Sequence, residues 1–212
     1  MDGLAAPTGQ MMPEGAAGYV AELKPDAFDL PLARKLLAEA GYPQGFQLTL
    51  QGPNDRYVND RQLVEAIAQM WTRAGVKTAV NTMPASMFFS ETGRDSFTVN
   101  LTGWASDTGE ASSSLIQIMA SVNPEKGRGA QPKPSHFARP EIDAVIEKSL
   151  ATFDAGEREK LYIEATKMGM AQQAMIPLHH QVNIWAMKKG FSLLPRMQEG
   201  TRAFEVSFKA GA

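Results

Sequence analysis

The chain has 212 residues, long enough to bury a substantial core as one large α/β domain or two small ones, which excludes a disordered chain or a disulfide-stapled miniature. Its 21 basic and 23 acidic residues nearly cancel, so it carries no electrostatic footprint for a nucleic acid or an anionic membrane. Cysteine is absent, and with it any disulfide, thiolate nucleophile or cysteine metal site, and no run of 18 apolar residues marks a membrane span.

The opening stretch "MDGLAAPTGQMMPEGAAGY" is rich in Gly, Pro and Ala, lacks periodicity and has no charged-then-apolar signal pattern. It predicts a piece cut from a longer protein. "FDLPLARKLLAEAGYP" then predicts a helix, with Asp29 as its cap, Pro31 in the first turn and Leu32, Leu36, Leu37 and Ala40 on one face. Gly41 and Pro43 stop it. "GFQLTLQG" alternates Phe46, Leu48 and Leu50 with polar neighbours and predicts a strand. Leu63, Ile67, Met70, Trp71 and Ala74 hold helical spacing from about Asn59, with Gly75 as the cap, and "VKTAVNTM" is the next strand. Strand, helix, strand in that order predicts a parallel pair joined by a right-handed crossover. "SFTVNLTGW" is a third strand that aligns Phe97, Val99 and Leu101 and delivers Trp104 and Asp107 to its carboxyl end, where open α/β sheets bind ligands.

A helix is expected from Glu110 to about Ser121, followed by a long aperiodic loop, "NPEKGRGAQPKPSHFARP", of the kind that tends to be functional. "PEIDAVIEKSLATF" and "DAGEREKLYIEATKMGMAQQA" predict two more helices, the second opened by Asp154 and Glu157 in capping-box-like spacing. "MIPLHHQVNIWAMKKG" reads as extended. "RAFEVSF" closes as a strand with Phe204, Val206 and Phe208 on one side, and no internal repeat is present.

In this order and at these spacings, "ARKLLAEAGYPQGFQLTL", "GWASD", "FARPEID", "EREKLYIEA" and "IPLHHQVNIWA" resemble the C-terminal lobe of the dipeptide, oligopeptide and nickel solute-binding proteins of ABC importers, solute-binding protein family 5. The match runs from about Pro7 to Phe208. The resemblance implies a periplasmic-binding-protein-like fold of class II, cluster C: an α/β lobe with a mixed sheet flanked by helices. It divides the chain into a hinge-proximal segment 1–20, a ligand-binding lobe 21–181, and a tail 182–212 that returns toward an N-terminal lobe lying outside this sequence. "RAFEVSF" would then belong to a sheet whose other strands lie elsewhere, leaving its apolar face exposed or borrowed by a neighbour.

In peptide-binding members of that family the aspartate of Gly-Trp-x-x-Asp pairs with the ligand's α-ammonium group, and the matching position is Asp107, with Trp104 before it. A carboxylate in a closing cleft holds an ammonium through charge-assisted hydrogen bonds. Many relatives follow this aspartate with an Asp-Pro pair, whereas this chain has Glu110-Ala111 and then three serines. Glu110 is thus either a second cation-binding carboxylate or a helix N-terminal residue favoured by the dipole. The loop around His136 is placed at the rim of the site. The implied partners are a small peptide or similar amine-bearing solute, the N-terminal lobe and a membrane permease. The implied location is periplasmic or at the cell surface, and neither an enzyme activity nor a cofactor is implied.

Each of these residues also has a structural reading. Trp104 could pack under the following helix while Asp107 caps it, and His136 could be a solvated loop residue. Adjacent His179 and His180 on an extended segment point to opposite faces and make a poor chelate. Ser112, Ser113 and Ser114 lack a nucleophile elbow and suit a helix start. Trp71, Met70, Met168 and Met170 are expected in the core, and Trp185 fits either the core or the contact with the other lobe. Two other functions remain open: a nickel-type metal-chelate receptor of the same family, and a hydrolase using His179 or His180.

Overall fold

The computed structural model describes residues 3–92, 94, 97–129, 137–196 and 200–209. Its elements in chain order are β1 (Ala5–Pro7), α1 (Leu30–Glu39), β2 (Phe46–Pro53), α2 (Asp60–Ala74), β3 (Val76–Met83), α3 (Ala85–Thr92), β4 (Val99–Asn100), α4 (Ser112–Ser114), α5 (Pro140–Leu150), α6 (Ala155–Ala171), β5 (His179–Gln181), β6 (Phe191–Leu193) and β7 (Val206–Phe208). They divide into two interleaved units. A sheet unit comprises Asp26–Trp104 and Ile116–Asp143, and a terminal unit comprises Met1–Pro25, Ala105–Leu115 and Ala144–Ala212.

The sheet unit is built on the expected parallel pair. β2 runs parallel to β3 from Phe46 opposite Val76 to Pro53 opposite Met83, and β4 joins on the other side with Leu50 opposite Val99. β2 is therefore central, in the order β3-β2-β4. Leu50, Val64 and Leu101 form a buried cluster, and Leu63, Ile67 and Trp71 pack against it from α2. Met70, expected in the core, is instead exposed on the far side of the same helix.

α1 begins as its sequence requires: the Asp29 carboxylate accepts from the Leu32 amide at 2.8 Å. Its expected inward face is shifted, however, since Leu32 and Leu36 are exposed while Leu30, Ala33 and Leu37 are half-buried. The residues 30, 33 and 37 also follow a helical stripe, and Arg34 fixes that rotation by donating to the Arg73 carbonyl of α2 at 2.7 Å.

Three other expectations need correction here. α3 was not foreseen; its first amide, on Ala85, is capped by the Asp55 carboxylate at 2.7 Å, and its Phe88 ring stacks on Phe97 at 5.5 Å. The third strand is paired as β4 over only two residues, with the Leu101 amide extending the ladder to the Gln51 carbonyl at 2.8 Å. The helix expected from Glu110 to Ser121 is a single α turn, α4, followed by a π-helical turn over Leu115–Met119. That wider turn is compatible with burying Leu115, Met119 and Ala120 together.

In the terminal unit, β1 pairs antiparallel with β5, Ala5 opposite Gln181 and Pro7 opposite His179. α6 is capped by Asp154, which accepts from the Glu157 amide at 2.9 Å, and it buries Leu161, Tyr162, Ala165 and Met170. Met12, Ala16 and Val20 are buried in the aperiodic opening segment. Buried Gln10 replaces regular structure there. Its amide donates to the Val20 carbonyl at 2.6 Å and accepts from the Val20 amide at 2.8 Å, imitating a strand partner. Gln10→Ala strands both buried Val20 groups, so we expect it to lower stability by about 2 kcal/mol, seen as a lower urea midpoint at unchanged slope.

The closing strand also differs from expectation. β7 spans only Val206–Phe208 and pairs antiparallel with β6 of this same chain, Phe191 opposite Phe208. Phe204 is not in the strand but in a 3-10 turn, Ala203–Glu205. The turn is held by Glu205, whose buried side chain pairs with Arg196 and accepts weakly from the Arg202 amide at 3.4 Å. The expected apolar exposure is present: Phe204, Val206 and Phe208 are all open to solvent.

Candidate functional site

The stretch from Gly103 to Ala111 holds the candidate residues, and the division between the two units falls between Trp104 and Ala105. In the sheet unit, Trp104 follows β4 at the carboxyl end of the parallel strands and is partly exposed, at 38%. The loop after β2 ends on the same side of the sheet. Its Tyr57 hydroxyl donates to the Gly103 carbonyl at 3.3 Å, and the Arg56 guanidinium lies 5.0 Å from the Tyr57 ring centre. That loop is held from beneath by Asp60. The buried Asp60 carboxylate accepts from the amides of Arg56 at 2.9 Å, Tyr57 at 3.0 Å and Arg61 at 2.7 Å. Sequence reading passed over Tyr57, although its position directly after a strand whose carboxyl end faces ligand territory was the available signal.

In the terminal unit, Asp107 is exposed, and among the described residues its carboxylate takes no hydrogen bond or ion pair. The loop around it is fixed. The Ser106 hydroxyl donates to the Glu110 carbonyl at 2.8 Å, the Ala17 amide donates to the Gly109 carbonyl at 3.1 Å, and the Ala111 amide returns to the Ala17 carbonyl at 3.0 Å. Asp107 is therefore an available carboxylate on a tethered loop, not a helix cap. Glu110 is engaged internally: its carboxylate accepts from the Ser112 hydroxyl at 2.8 Å and lies 3.7 Å from the Arg158 guanidinium. Neighbouring Tyr162 has its phenol pushed above the usual range, first by burial and then by the Glu110 charge.

The remaining candidates separate in the same way. Ser112 is committed to Glu110, and buried Ser114 donates to the Ala111 carbonyl at 2.9 Å, as helix-start serines do. His136 lies outside the described residues. His180 Nε2 is 3.0 Å from the Met11 carbonyl, so that nitrogen carries the proton. Burial, and then the charge of His180, holds half-buried His179 below the usual histidine range. Among the described residues no group of three or more His, Asp or Glu is placed to hold a metal ion. A shallow groove of about 470 Å³ lies in the sheet unit between α2 and β3, lined by Glu65, Thr72, Arg73 and Val80; β3 is on the opposite side of β2 from β4.

The profile of the bacterial extracellular solute-binding proteins, family 5 (middle region), matches residues 1–126. The glutathione-binding protein GsiB of Shigella flexneri serotype 5b is 30% identical over 204 residues, covering 91% of this chain and 38% of that protein. Heme-binding protein A of Haemophilus influenzae is 28% identical over 177 residues, covering 81% of this chain and 31% of that protein. The chain thus spans well under half the length of these relatives. Among solved structures, the dipeptide-binding protein of Pseudoalteromonas sp. SM9913 in complex with Met-Leu superimposes with a TM-score of 0.81 at 22% identity, over 98% of this chain and 41% of that one. The periplasmic binding protein DppA of Helicobacter pylori, in complex with the peptide STSA, gives 0.76 at 22% identity, over 85% of this chain and 34% of that one. These superpositions show the fold, which is that of the periplasmic binding proteins.

Proposed function

We propose that this chain, which belongs to the bacterial extracellular solute-binding proteins of family 5, is the C-terminal lobe of a two-lobe receptor that captures a small peptide for an ABC importer. In this reading residues 1–20 lead in from the hinge, residues 21–181 form the ligand-binding lobe, and residues 182–212 return toward the N-terminal lobe. The receptor works outside the cytoplasm and hands its closed form to a membrane permease. Among the described residues no helix is long and apolar enough to cross a membrane.

The observation that carries the reading is Asp107: an exposed carboxylate, without an internal partner among the described residues, on a loop tethered at both ends. Closure of the second lobe would dry the space around it, and a carboxylate in a dry cleft favours a positively charged, hydrogen-bond-donating group. A peptide's α-ammonium has that chemistry. Peptide ligands are consistent with the names of several relatives: glutathione, Met-Leu and STSA are all peptides.

Capture without chemistry requires only a difference in affinity between open and closed forms. The reading is tested by thermal-shift titration of the full-length receptor with glutathione, with di- and tripeptides and with their N-acetylated counterparts. A free-amine peptide at 100 times its dissociation constant should stabilise the receptor by about 2.7 kcal/mol, and acetylation should abolish the shift. Equal shifts with free and acetylated peptides would remove the ammonium anchor. No shift with any peptide would redirect the panel to heme, opines and metal chelates.

A further inference from the structure

We infer that the Glu110–Arg158 pair is a positioning device for the Asp107 carboxylate, and that it leaves Asp107 as the carboxylate this loop offers to a ligand. The inference rests on the reading of Asp107 given above. The loop bearing Asp107 has three residues between Ser106 and Glu110, and both ends are tied to each other through the Ser106 hydroxyl and the Glu110 carbonyl at 2.8 Å. Glu110 is the fixed end. Its flanking backbone is clamped to Ala17 on both sides, by the Gly109 carbonyl at 3.1 Å and the Ala111 amide at 3.0 Å.

The close approach of that clamp depends on Gly18. A Cβ there would come within 2.7 Å of the Ala111 Cβ and 3.0 Å of the Tyr162 Cβ, and its φ of +92° is one that side chains disfavour. The Glu110 side chain supplies the second hold. One oxygen accepts from the Ser112 hydroxyl at 2.8 Å and the other lies 3.7 Å from Arg158 Nε. Arg158 is itself anchored, because its Nη1 donates to the Thr152 and Phe153 carbonyls at 3.2 and 3.1 Å, where the chain turns from α5 into α6. The pair is about one-quarter to one-third exposed on each side, so solvent weakens it less than a surface pair.

The electrostatic consequence settles which role Glu110 plays. Its charge is answered inside the protein by Arg158, so it does not add a second carboxylate for the ligand. Of the two carboxylates on this loop, Asp107 is the one left to face an ammonium.

The experiment is isothermal titration of the full-length receptor with Met-Leu and glutathione, using Glu110→Gln, Arg158→Gln, the double variant, Arg158→Lys and Asp107→Ala, with melting of each unliganded protein to check folding. Each of Glu110→Gln and Arg158→Gln should weaken binding about tenfold. The double variant should lose the same tenfold, because either change disables the pair, and Arg158→Lys, which keeps the charge, should recover most of the affinity. Unchanged affinity in both single variants, with melting alone lowered, would make the pair merely structural; a hundredfold loss in the double variant would show two separate contributions. Either result overturns the inference while leaving the reading of Asp107 intact, provided Asp107→Ala loses binding. If Asp107→Ala binds like the wild type, or the wild type takes neither probe, the reading falls and this inference with it.

Discussion

Asp107→Ala in the full-length receptor is expected to weaken binding of a free-amine peptide by about 2 to 5 kcal/mol, roughly 30-fold to several thousand-fold. The size of the effect comes from what the substitution leaves behind. The ligand's ammonium still enters the closed cleft, loses its water and finds no carboxylate, so the variant bears the desolvation of an unpaired charge as well as the lost hydrogen bond. Asp107→Asn keeps the shape and one acceptor oxygen but not the charge, and should fall between alanine and wild type. Titration calorimetry with the peptide, run at two salt concentrations, checks this. The wild-type affinity should change little with salt because the pair is screened only while the cleft is open. A variant that binds as well as wild type would assign the ammonium to another group and return Asp107 to the role of an ordinary surface residue.

The largest expected effect on stability is at Gly45. This glycine directly precedes β2, Gly75 stands between α2 and β3, and the two strands start side by side with Phe46 opposite Val76. A Cβ on Gly45 would lie 1.8 Å from the Gly75 carbonyl oxygen, and its φ is +69°. The left-handed conformation alone costs a residue with a side chain about 1 to 2 kcal/mol, and forced overpacking adds about 1 to 3. Gly45→Ala should therefore lower stability by about 2 to 5 kcal/mol, read as a fall in the thermal or urea midpoint. The backbone after Gly45 is locked into the ladder and its own amide is held by the Tyr42 carbonyl at 2.8 Å, so relaxation would have to shift the start of the strand. A change under 1 kcal/mol would mean that β2 and β3 do not start in this register.

Much of the sheet unit was legible because its signals are local. The 3.6 spacing of Leu63, Ile67 and Trp71, the alternation through Leu48 and Leu50, and the caps at Asp29 and Gly75 each depend on neighbours within a turn or two, as does the Asp154 cap in the terminal unit. What escaped depends on distant residues. α3 is capped by Asp55 from across the parallel strands, so nothing in "ASMFFSET" announces its start. β7 finds β6 as a partner, and Phe204 is turned out of the strand because buried Glu205 must meet Arg196. The rotation of α1 follows from Arg34 reaching Arg73.

The site shows the same division. Trp104 and Asp107 drew notice by their place at the carboxyl end of a predicted strand, but the ammonium role came through a family resemblance, since a strand-end tryptophan and a loop aspartate have ordinary structural uses. Glu110 looked equally suited to two roles in the sequence. Its partner Arg158 lies in α6, and Ala17, which clamps its backbone, lies in the aperiodic opening segment.

The pairing of β1 with β5 joins Ala5 to Gln181, nearly the full span of the chain. Closing a loop of that length costs about 1.5 kcal/mol more entropy than bringing Phe46 beside Val76, the contact that starts the parallel pair. The middle of the chain can therefore organise early, from short-range contacts, while its first residues wait for nearly the last ones. The β1–β5 pair cannot form until about residue 181 is available, so a chain cut before that point should hold the β2–β3 pair while β1 lacks its partner.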